Sequence, residues 1–197
     1  MAESRLASGQ KNARRTGGVI VFADESGLSQ RPSVRRTWAP KGRTPVLTHS
    51  FTWHKLSMNA GLAYEADGKP LAVVFEIIPG AYDTQRILTF LRRLSRSFAG
   101  RRVYLVWDRL RAHRSKAVQA LIRNEATNLT LHYLPAYSPD LQPVEHLWAN
   151  VKGQELANYV PDNLTDLRNQ AHRAIRRVRR HALRLLAGFA AGAGLGF

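Results

Sequence analysis

The chain has 197 residues, 44% of them hydrophobic, which is enough for one folded domain with a buried core and excludes wholesale disorder. Lysine and arginine number 30 against 14 acidic residues, and the formal net charge of +16 favours a polyanionic partner, either nucleic acid or an acidic membrane surface. Cysteine is absent, which excludes disulfides, thiolate metal sites and a cysteine nucleophile.

The two ends of the chain carry no membrane signal. Residues 1–18 are polar and basic and lack the apolar stretch of a secretory signal, so we predict a flexible basic arm. The apolar stretch at 183–197 is interrupted by Arg184 and by glycines and is too short to span a bilayer. We therefore expect nucleic acid rather than a membrane as the partner, and a cytoplasmic location on the nucleoid.

The predicted elements begin with an apolar, β-branched run at 19–24, which indicates a buried strand. Residues 25–50 hold three prolines and many cations and predict an extended loop or a weak hairpin. Asp67-Gly68 is typical of a hairpin turn between two strands. Apolar periodicity and capping residues predict the remaining elements. These are strands at 57–65, 71–78, 103–108 and 129–134, and helices from 83 or 84 to about 98, from 115 to 124, from 143 onward and from 164 to about 186, with Gly188 as the stop.

This order of elements predicts an α/β fold with a mixed five-stranded sheet flanked by helices. We divide the chain into the basic arm at 1–18, a catalytic domain at 19–160 and a basic C-terminal helix with a tail at 161–197.

Two of the predicted strands run directly into an aspartate, Asp24 in one case and Asp108 in the other. The carboxyl ends of parallel strands meet at one edge of a sheet, where ligands bind, so the two carboxylates converge if the strands are parallel neighbours. The alternative is that each aspartate merely ends a strand or caps a helix. Two strands with the same ending in a polycationic protein favour the functional interpretation.

Glu145 stands near the start of the helix that begins at Pro143, at the edge of an apolar stripe that includes Leu147 and Trp148. This position predicts a carboxylate close to the sheet rather than out in water. The alternative is a local role, because an acidic residue in the first turn stabilises the helix dipole. The two roles are compatible.

Three carboxylates from two strands and a helix are a donor set that hard cations bind. Cleavage or transfer of a DNA phosphodiester requires charge stabilisation at both the attacking and the leaving oxygen, which two Mg²⁺ ions about 4 Å apart supply. We therefore predict that Asp24, Asp108 and Glu145 are catalytic and hold two Mg²⁺ or Mn²⁺ ions.

Three sequence blocks resemble the DDE transposases of the mariner superfamily, including their bacterial insertion-sequence relatives. The third block is highly specific, the second moderately so, and the first is weak alone. The blocks are Phe22-Ala-Asp-Glu-Ser26, Val106-Trp-Asp-Arg-Leu-Arg-Ala-His-Arg-Ser115 and Leu134-Pro-Ala-Tyr-Ser-Pro-Asp-Leu-Gln-Pro-Val-Glu-His-Leu-Trp148.

The resemblance covers roughly residues 19 to 185 and implies a ribonuclease H-like fold. Asp24 and Asp108 would correspond to the two catalytic aspartates of the family and Glu145 to its closing glutamate. The implied activity is metal-dependent cleavage at transposon ends, followed by attack of the freed 3′-hydroxyl on target DNA.

Two residues depart from the family pattern. The family has asparagine after the second aspartate, where this chain has Arg109, and asparagine before the helix proline, where it has Gln142. Neither change removes a predicted metal ligand. Arg109 either contacts phosphate beside the metals or marks a decayed copy. His113, five residues after Asp108, either orients the site or is a packed histidine.

Positive side chains in two further regions are predicted to contact DNA. Lys41 and Arg43 lie in the basic loop, for which the alternative is that it packs on the protein's own core. The last helix carries arginines with few acidic neighbours, a pattern that favours phosphate contact over a solvated face. Its predicted DNA-binding residues are Arg173, Arg176, Arg177 and Arg180.

Only 23 residues precede Asp24, so we expect this chain to lack the helix-turn-helix region with which mariner-type transposases read transposon ends. The expected partners are DNA, bound with little sequence preference, a second copy of the chain in a homodimer, and a separate helix-turn-helix polypeptide. Three hypotheses remain open. They are an active transposase or nuclease core, a non-catalytic DNA-binding remnant, and an RNA-cleaving ribonuclease H-like enzyme.

Overall fold

The computed structural model describes residues 2–49, 54–135 and 138–195. One mixed sheet contains β1 Val19–Ser29, β2 Lys55–Glu65, β3 Pro70–Pro79, β4 Val103–Trp107 and β5 Leu129–Tyr133. The strand order across this sheet is β3-β2-β1-β4-β5. The first three strands pair antiparallel, whereas β4 pairs parallel with both β1 and β5. The predicted α/β fold with a mixed five-stranded sheet is confirmed.

Helices lie on both faces of the sheet. They are α1 Ala2–Thr16, α2 Thr84–Ser97, α3 Lys116–Asn124, α4 Pro143–Asn150, α5 Leu164–Arg180 and α6 Ala182–Gly192. A π-helical turn, Val151–Glu155, continues directly from α4. Within the described residues, no helix has both the length and the apolarity that a membrane span requires.

Side-chain alternation along the strands builds two separate cores. Ile20 and Phe22 of β1 belong to the core covered by α1, α4, α5 and α6, which we call the α4 face. Val19, Val21 and Ala23 belong to the core covered by α2 and α3, which we call the α2 face. Every residue of β4 is buried, as expected for a strand covered by helices on both sides.

The N-terminal segment differs from the predicted flexible arm. It forms α1, whose Ala13 is fully buried on the α4 face. The Thr16 hydroxyl lies 3.1 Å from the Tyr104 hydroxyl of β4, and the Gly18 amide donates to the Ala13 carbonyl at 2.9 Å. Packing on the sheet thus stabilises a helix in a segment whose sequence shows mainly polar and basic character.

β1 is longer than the strand predicted at 19–24. It pairs with β2 as far as Ser29 opposite Lys55, so the first part of the predicted loop at 25–50 is strand. Antiparallel pairing imposes this extended conformation on residues such as Gly27, which have little strand propensity. β4 pairs with β1 only as far as Phe22, so Asp24 lies within a strand, just beyond its last parallel pair.

The helix predicted from 164 to 186 is two helices. α5 ends at Arg180, His181 leaves the helical conformation with φ −112° and ψ 24°, and α6 continues past the predicted stop at Gly188. The break brings Leu186 and Phe189 into the core of the α4 face. Burial of this apolar segment outweighs the continuation of a single straight helix.

Candidate active site

The parallel register of β1 and β4 aligns Asp24 with Asp108. Phe22 pairs with Val106 in this register, and both side chains are buried on the α4 face. Asp24 and Asp108 each follow two residues later, and alternation returns their side chains to that same face. Because β4 ends at Trp107, the sheet opens at this point, and both carboxylates line one cleft.

The start of α4 is fixed beside Asp24. Gln142 is buried, and its Nε2 donates to the Ala23 carbonyl of β1 at 2.9 Å. This bond ties the residue before Pro143 to the strand residue before Asp24. α4 therefore begins at the open edge of the sheet, and its first turn carries Glu145 to the cleft.

The cleft has a volume of about 430 Å³ and brings together all three predicted carboxylates. Glu145 is solvent-exposed, not sheltered against the sheet as its place beside the apolar stripe predicts. Ala136 and Tyr137 of the third sequence block lie outside the described residues. The described lining consists of Asp24, Asp108, Arg109, Leu110, Leu134, Pro135, Ser138, Pro139, Gln142 and Glu145.

Asp24 is the carboxylate with the strongest electrostatic perturbation. Its pKa is raised from 3.8 to about 7, chiefly by burial and in part by the charges of Glu25 and Glu145. The Trp148 indole opposes this rise, because its Nε1 donates to Asp24 Oδ2 at 2.8 Å. A buried carboxylate with acidic neighbours gains stability from any cation that enters the cleft.

Asp108 is held in place by hydrogen bonds from its own loop. Its Oδ1 accepts from the Leu110 amide at 3.0 Å and lies 2.5 Å from His113 Nδ1. Burial raises the pKa of Asp108, but these hydrogen bonds and the positive charge of His113 outweigh it, and the net pKa is lowered. Asp108 is thus ionised over the physiological pH range.

His113 connects the cleft to the α2 face. It is 1% exposed, it stacks on Trp107 with ring centroids 3.6 Å apart, and its Nε2 lies 3.2 Å from Glu25 Oε2. Burial lowers the pKa of His113, but the hydrogen bonds and charges of Asp108 and Glu25 outweigh burial and raise it to about 9. His113 is therefore both a packed histidine and a hydrogen-bond partner of Asp108.

The residues of the cleft suit a hard divalent cation. Three carboxylates face it, and the buried Oε1 of Gln142 has no hydrogen-bond partner among the described residues, so a further oxygen donor is present. In the same ranges, however, no three acidic or histidine side chains stand close enough to enclose one ion. Of the three carboxylates, Glu145 is the exposed one, whereas Asp24 and Asp108 are partly buried.

Arg109 also lines the cleft, directly after Asp108. Its Nε donates to the Leu134 carbonyl at 2.9 Å, which links the segments that follow β4 and β5. The guanidinium is thereby fixed at the rim beside Asp108, where a phosphate contact is sterically open.

The predicted DNA-binding residues are not among the described lining of the cleft. Lys41 and Arg43 are exposed, and Trp38 in the same loop is 100% exposed, so this loop does not pack on the core as the alternative required. The arginines of α5 are also exposed, and Arg177 pairs with Glu155 at 2.7 Å. The other three members of that set are Arg173, Arg176 and Arg180.

Sequence reasoning missed three residues that contact the site. Glu25 supports His113, Trp148 donates to Asp24, and the Lys152 ammonium donates to Ser26 Oγ at 2.6 Å behind the cleft. Burial lowers the pKa of Lys152. A spacing signal existed, because Glu145, Trp148 and Lys152 recur at i, i+3 and i+7 and therefore share one helix face.

A family model described as DDE superfamily endonuclease matches residues 19–168 of the chain. This range contains both strand aspartates, the whole cleft lining and the first turn of α5. A search of the curated proteins finds no significant match.

Solved structures of the Mos1 mariner transposase share the fold. The chain superposes on its catalytic domain with a TM-score of 0.51 and 18% identity, covering 100% of this chain and 95% of that one. The Mos1 paired end complex with Mg matches with a TM-score of 0.62 and 18% identity, covering 98% of this chain and 59% of that one. The Mos1 strand transfer complex matches with a TM-score of 0.55 and 18% identity, covering 95% and 60%.

The chain thus spans about 60% of the length of the Mos1 chains in those two complexes. The predicted ribonuclease H-like fold is confirmed by the match to the catalytic domain.

Proposed function

This chain belongs to the DDE superfamily of endonucleases, and we propose that it is the catalytic core of a mariner-type transposase. In this proposal it cleaves phosphodiester bonds at transposon ends and transfers the freed strand to target DNA. The observation that carries the proposal is the shared register that places Asp24 and Asp108 on the α4 face, where α4 adds Glu145 to the same cleft.

In the proposed reaction, Asp24, Asp108 and Glu145 hold two Mg²⁺ or Mn²⁺ ions. When bound, such ions stabilise charge on the attacking and leaving oxygens and activate the attacking water or hydroxyl. Asp108 enters as a preformed, ionised ligand, because His113 and the Leu110 amide already orient it. Asp24 would be the buried ligand, whose raised pKa of about 7 makes its carboxylate the one that a cation stabilises most, and the exposed Glu145 would complete the donor set.

Arg109 and His113 support these carboxylates. Arg109 at the rim supplies a fixed positive charge for a phosphate oxygen of the bound strand. His113 acts on Asp108, and its second nitrogen is held by Glu25 on the α2 face. A ligand that is oriented from behind loses less entropy when it binds.

DNA is the proposed partner. The net charge of +16 provides the electrostatic attraction to phosphate, with Lys41, Arg43 and the α5 arginines exposed for contact. A homodimer, a separate helix-turn-helix polypeptide and a location on the nucleoid remain predictions.

Nicking of supercoiled plasmid DNA tests the proposal. The protein is expected to convert plasmid to the open-circular form in Mg²⁺ or Mn²⁺ and not in EDTA. Asp108→Asn and Glu145→Gln remove one ligand charge each without changing side-chain size, and each should reduce the rate about 1,000-fold or more. Glu125→Gln is the matched control, because it is the same kind of substitution at a carboxylate that pairs with Arg92 on the α2 face and is not part of the described cleft lining.

The alternatives give different outcomes in the same assay. Nicking that is unaffected by both cleft variants contradicts the assigned site. Metal-independent DNA binding without any nicking identifies a non-catalytic remnant. Faster cleavage of RNA–DNA hybrids than of duplex DNA identifies a ribonuclease H-like enzyme that cleaves RNA.

A further inference from the structure

A second concavity lies on an adjacent flank of α4. It has a volume of about 960 Å³ and opens between the loop at 34–36, α4, its π-helical turn and α6. Arg35, Arg36 and Arg184 line it together with His146, and the described lining includes no acidic residue. We call this concavity the basic groove.

The protein does not neutralise the guanidinium groups of the basic groove. Elsewhere arginines pair with carboxylates, as Arg101 does with Glu65 at 2.6 Å. Among the described residues, no ion pair involves Arg35, Arg36 or Arg184. Three unpaired cations around one cavity repel each other, and a polyanion that enters the cavity relieves this repulsion.

The walls of the basic groove are fixed by the protein's own contacts. Asn158 accepts from the Arg35 amide at 2.8 Å and donates to the Arg35 carbonyl at 3.0 Å. Ser33 and Ala157 form a β-bridge beside this clamp. The Arg35 guanidinium lies over Gly153, where an added Cβ would come within 3.0 Å of it. A preformed wall reduces the entropy lost when a ligand is bound.

The position of the groove relative to the cleft follows from helix geometry. Successive residues of a helix point about 100° apart, so His146 faces the basic groove when Glu145 faces the cleft. Side-chain ends 100° apart on a helix about 10 Å wide lie roughly 8 Å from each other, so the two sites are separated by on the order of 10 Å. With 3.4 Å per base-pair step, that separation corresponds to roughly three steps of duplex DNA.

We propose that the basic groove binds the phosphodiester backbone of duplex DNA about three nucleotides from the phosphate in the cleft. The proposal rests on the proposed function, because it takes the cleft as the site of cleavage. It assigns phosphate contact to Arg36 and Arg184, side chains that lie on different elements and converge only in the fold. The contacts proposed here go to phosphate oxygens, which fix the position of the duplex and carry no sequence information.

Fluorescence anisotropy with a labelled duplex in metal-free buffer tests the groove. The double variant Arg36→Ala/Arg184→Ala should bind on the order of 10- to 100-fold more weakly at 0.1 M salt. The slope of log affinity against log salt should fall in magnitude by about two, one for each lost phosphate contact. Arg36→Lys/Arg184→Lys keeps both charges and should keep that slope.

Arg96→Ala/Arg123→Ala is the matched control. Both of its arginines are exposed on the α2 face, and it changes the net charge by the same amount. It should leave the salt slope within error of the wild type. Equal losses in the groove and control variants, with all variants folded by circular dichroism, would overturn the proposal, because general charge would then explain the binding.

The same variants separate the groove from the cleavage function. Suppose that the wild type does not nick plasmid DNA, and that the salt dependence of binding falls in the groove variant but not in the control variant. The proposed role of the groove is then supported, and the proposed function is contradicted. If the wild type nicks and the groove variant binds and nicks like it, the groove fails alone. A duplex that ends two base pairs from the cleft should bind wild type and groove variant equally, since it cannot reach the groove.

Discussion

Asp24 and Glu25 are adjacent in the sequence and lie on opposite faces of the sheet. On the α4 face, Asp24 is buried beside other acids, and its pKa is raised to about 7 despite hydrogen bonds from the Trp148 indole and the Glu25 backbone. On the α2 face, Glu25 accepts from Asn59 Nδ2 at 3.2 Å and pairs with His113. One carboxylate is thus poorly satisfied by the protein, and its neighbour is well satisfied.

The difference shows how one strand supplies both a reactive group and its support. Strand alternation sends consecutive side chains to opposite faces, so Asp24 and Glu25 have different side-chain partners, although the charge of Glu25 still helps to raise the pKa of Asp24. The α4 face opens into the cleft, where an unsatisfied carboxylate is useful to a cation. The α2 face is closed, and Glu25 acts through His113 on Asp108, the other carboxylate of the cleft. The carboxylate of Asp24, which is destabilised when ionised, thus stands next to Glu25, whose ion pair with His113 holds Asp108 in place.

The largest expected effect is a gain in stability from Asp24→Asn. A folded-state pKa raised above 3.8 means that the folded protein is destabilised as pH rises, with the full penalty present above about 7. Asparagine keeps the acceptor for Trp148 and removes the charge. We expect the metal-free variant to be about 2–3 kcal/mol more stable than the wild type at pH 8, and nearly equal at pH 4.

Urea unfolding at pH 8 and pH 4 measures the difference in free energy of unfolding between Asp24→Asn and the wild type. Mg²⁺ should narrow it at pH 8 by stabilising the wild type alone. A gap that is as large at pH 4 as at pH 8 contradicts the assignment of the destabilisation to Asp24 ionisation.

Glu25→Gln should have the opposite sign and a smaller effect on stability. His113 has a folded-state pKa of about 9, so its ion pairs stabilise the fold fully below pH 6.5 and are lost as pH rises through 9. Removing the Glu25 charge should destabilise the protein by about 1–2 kcal/mol at pH 6, and by less at pH 10. The nicking rate should fall about 10- to 100-fold, because Asp108 loses its support from behind.

Glu76→Gln is the control for Glu25. Glu76 lies on β3 opposite Asn59, on the same face but two strands from the cleft, and accepts from the Tyr82 hydroxyl at 2.7 Å. It should lower stability without lowering the nicking rate of the folded protein. The metal concentration for half-maximal nicking should rise only in Glu25→Gln; an equal rise in both variants would indicate a merely structural role.

The sequence predicted much of the sheet and the identity of the cleft carboxylates. The runs that lead into Asp24 and Asp108 are apolar and β-branched, and Asp67-Gly68 marks the hairpin, with Gly68 at φ 86°. These signals are local, because strand propensity and turn conformation depend on a few neighbouring residues. The convergence of the aspartates also followed from a general rule about parallel strands.

The features that were missed depend on residues far apart in the sequence. Gly27 is strand only because β2 pairs with it, and α1 is helical where it packs on the sheet. The break at His181 follows from the burial of α6 on the α4 face. The contact of Trp148 with Asp24 joins residues 124 positions apart, and no local pattern predicts which of the acids on β1 an indole reaches.

Trp148→Phe tests the one side-chain hydrogen bond to Asp24 on the α4 face and has the smallest expected effect. The indole hydrogen bond lowers the pKa of Asp24, so its loss should raise that pKa further above 7 and reduce the ionised fraction at neutral pH. Loss of one hydrogen bond of about 1 kcal/mol raises the pKa by roughly 0.7 unit, so the ionised fraction of Asp24 and the nicking rate should fall about threefold at pH 7, and the loss should disappear near pH 9. Trp107→Phe removes an indole from the α2 face, whose Nε1 has no partner among the described residues, and should leave the pH profile in place. If both tryptophan variants shift the profile equally, the perturbation of Asp24 comes from packing and not from the Trp148 hydrogen bond.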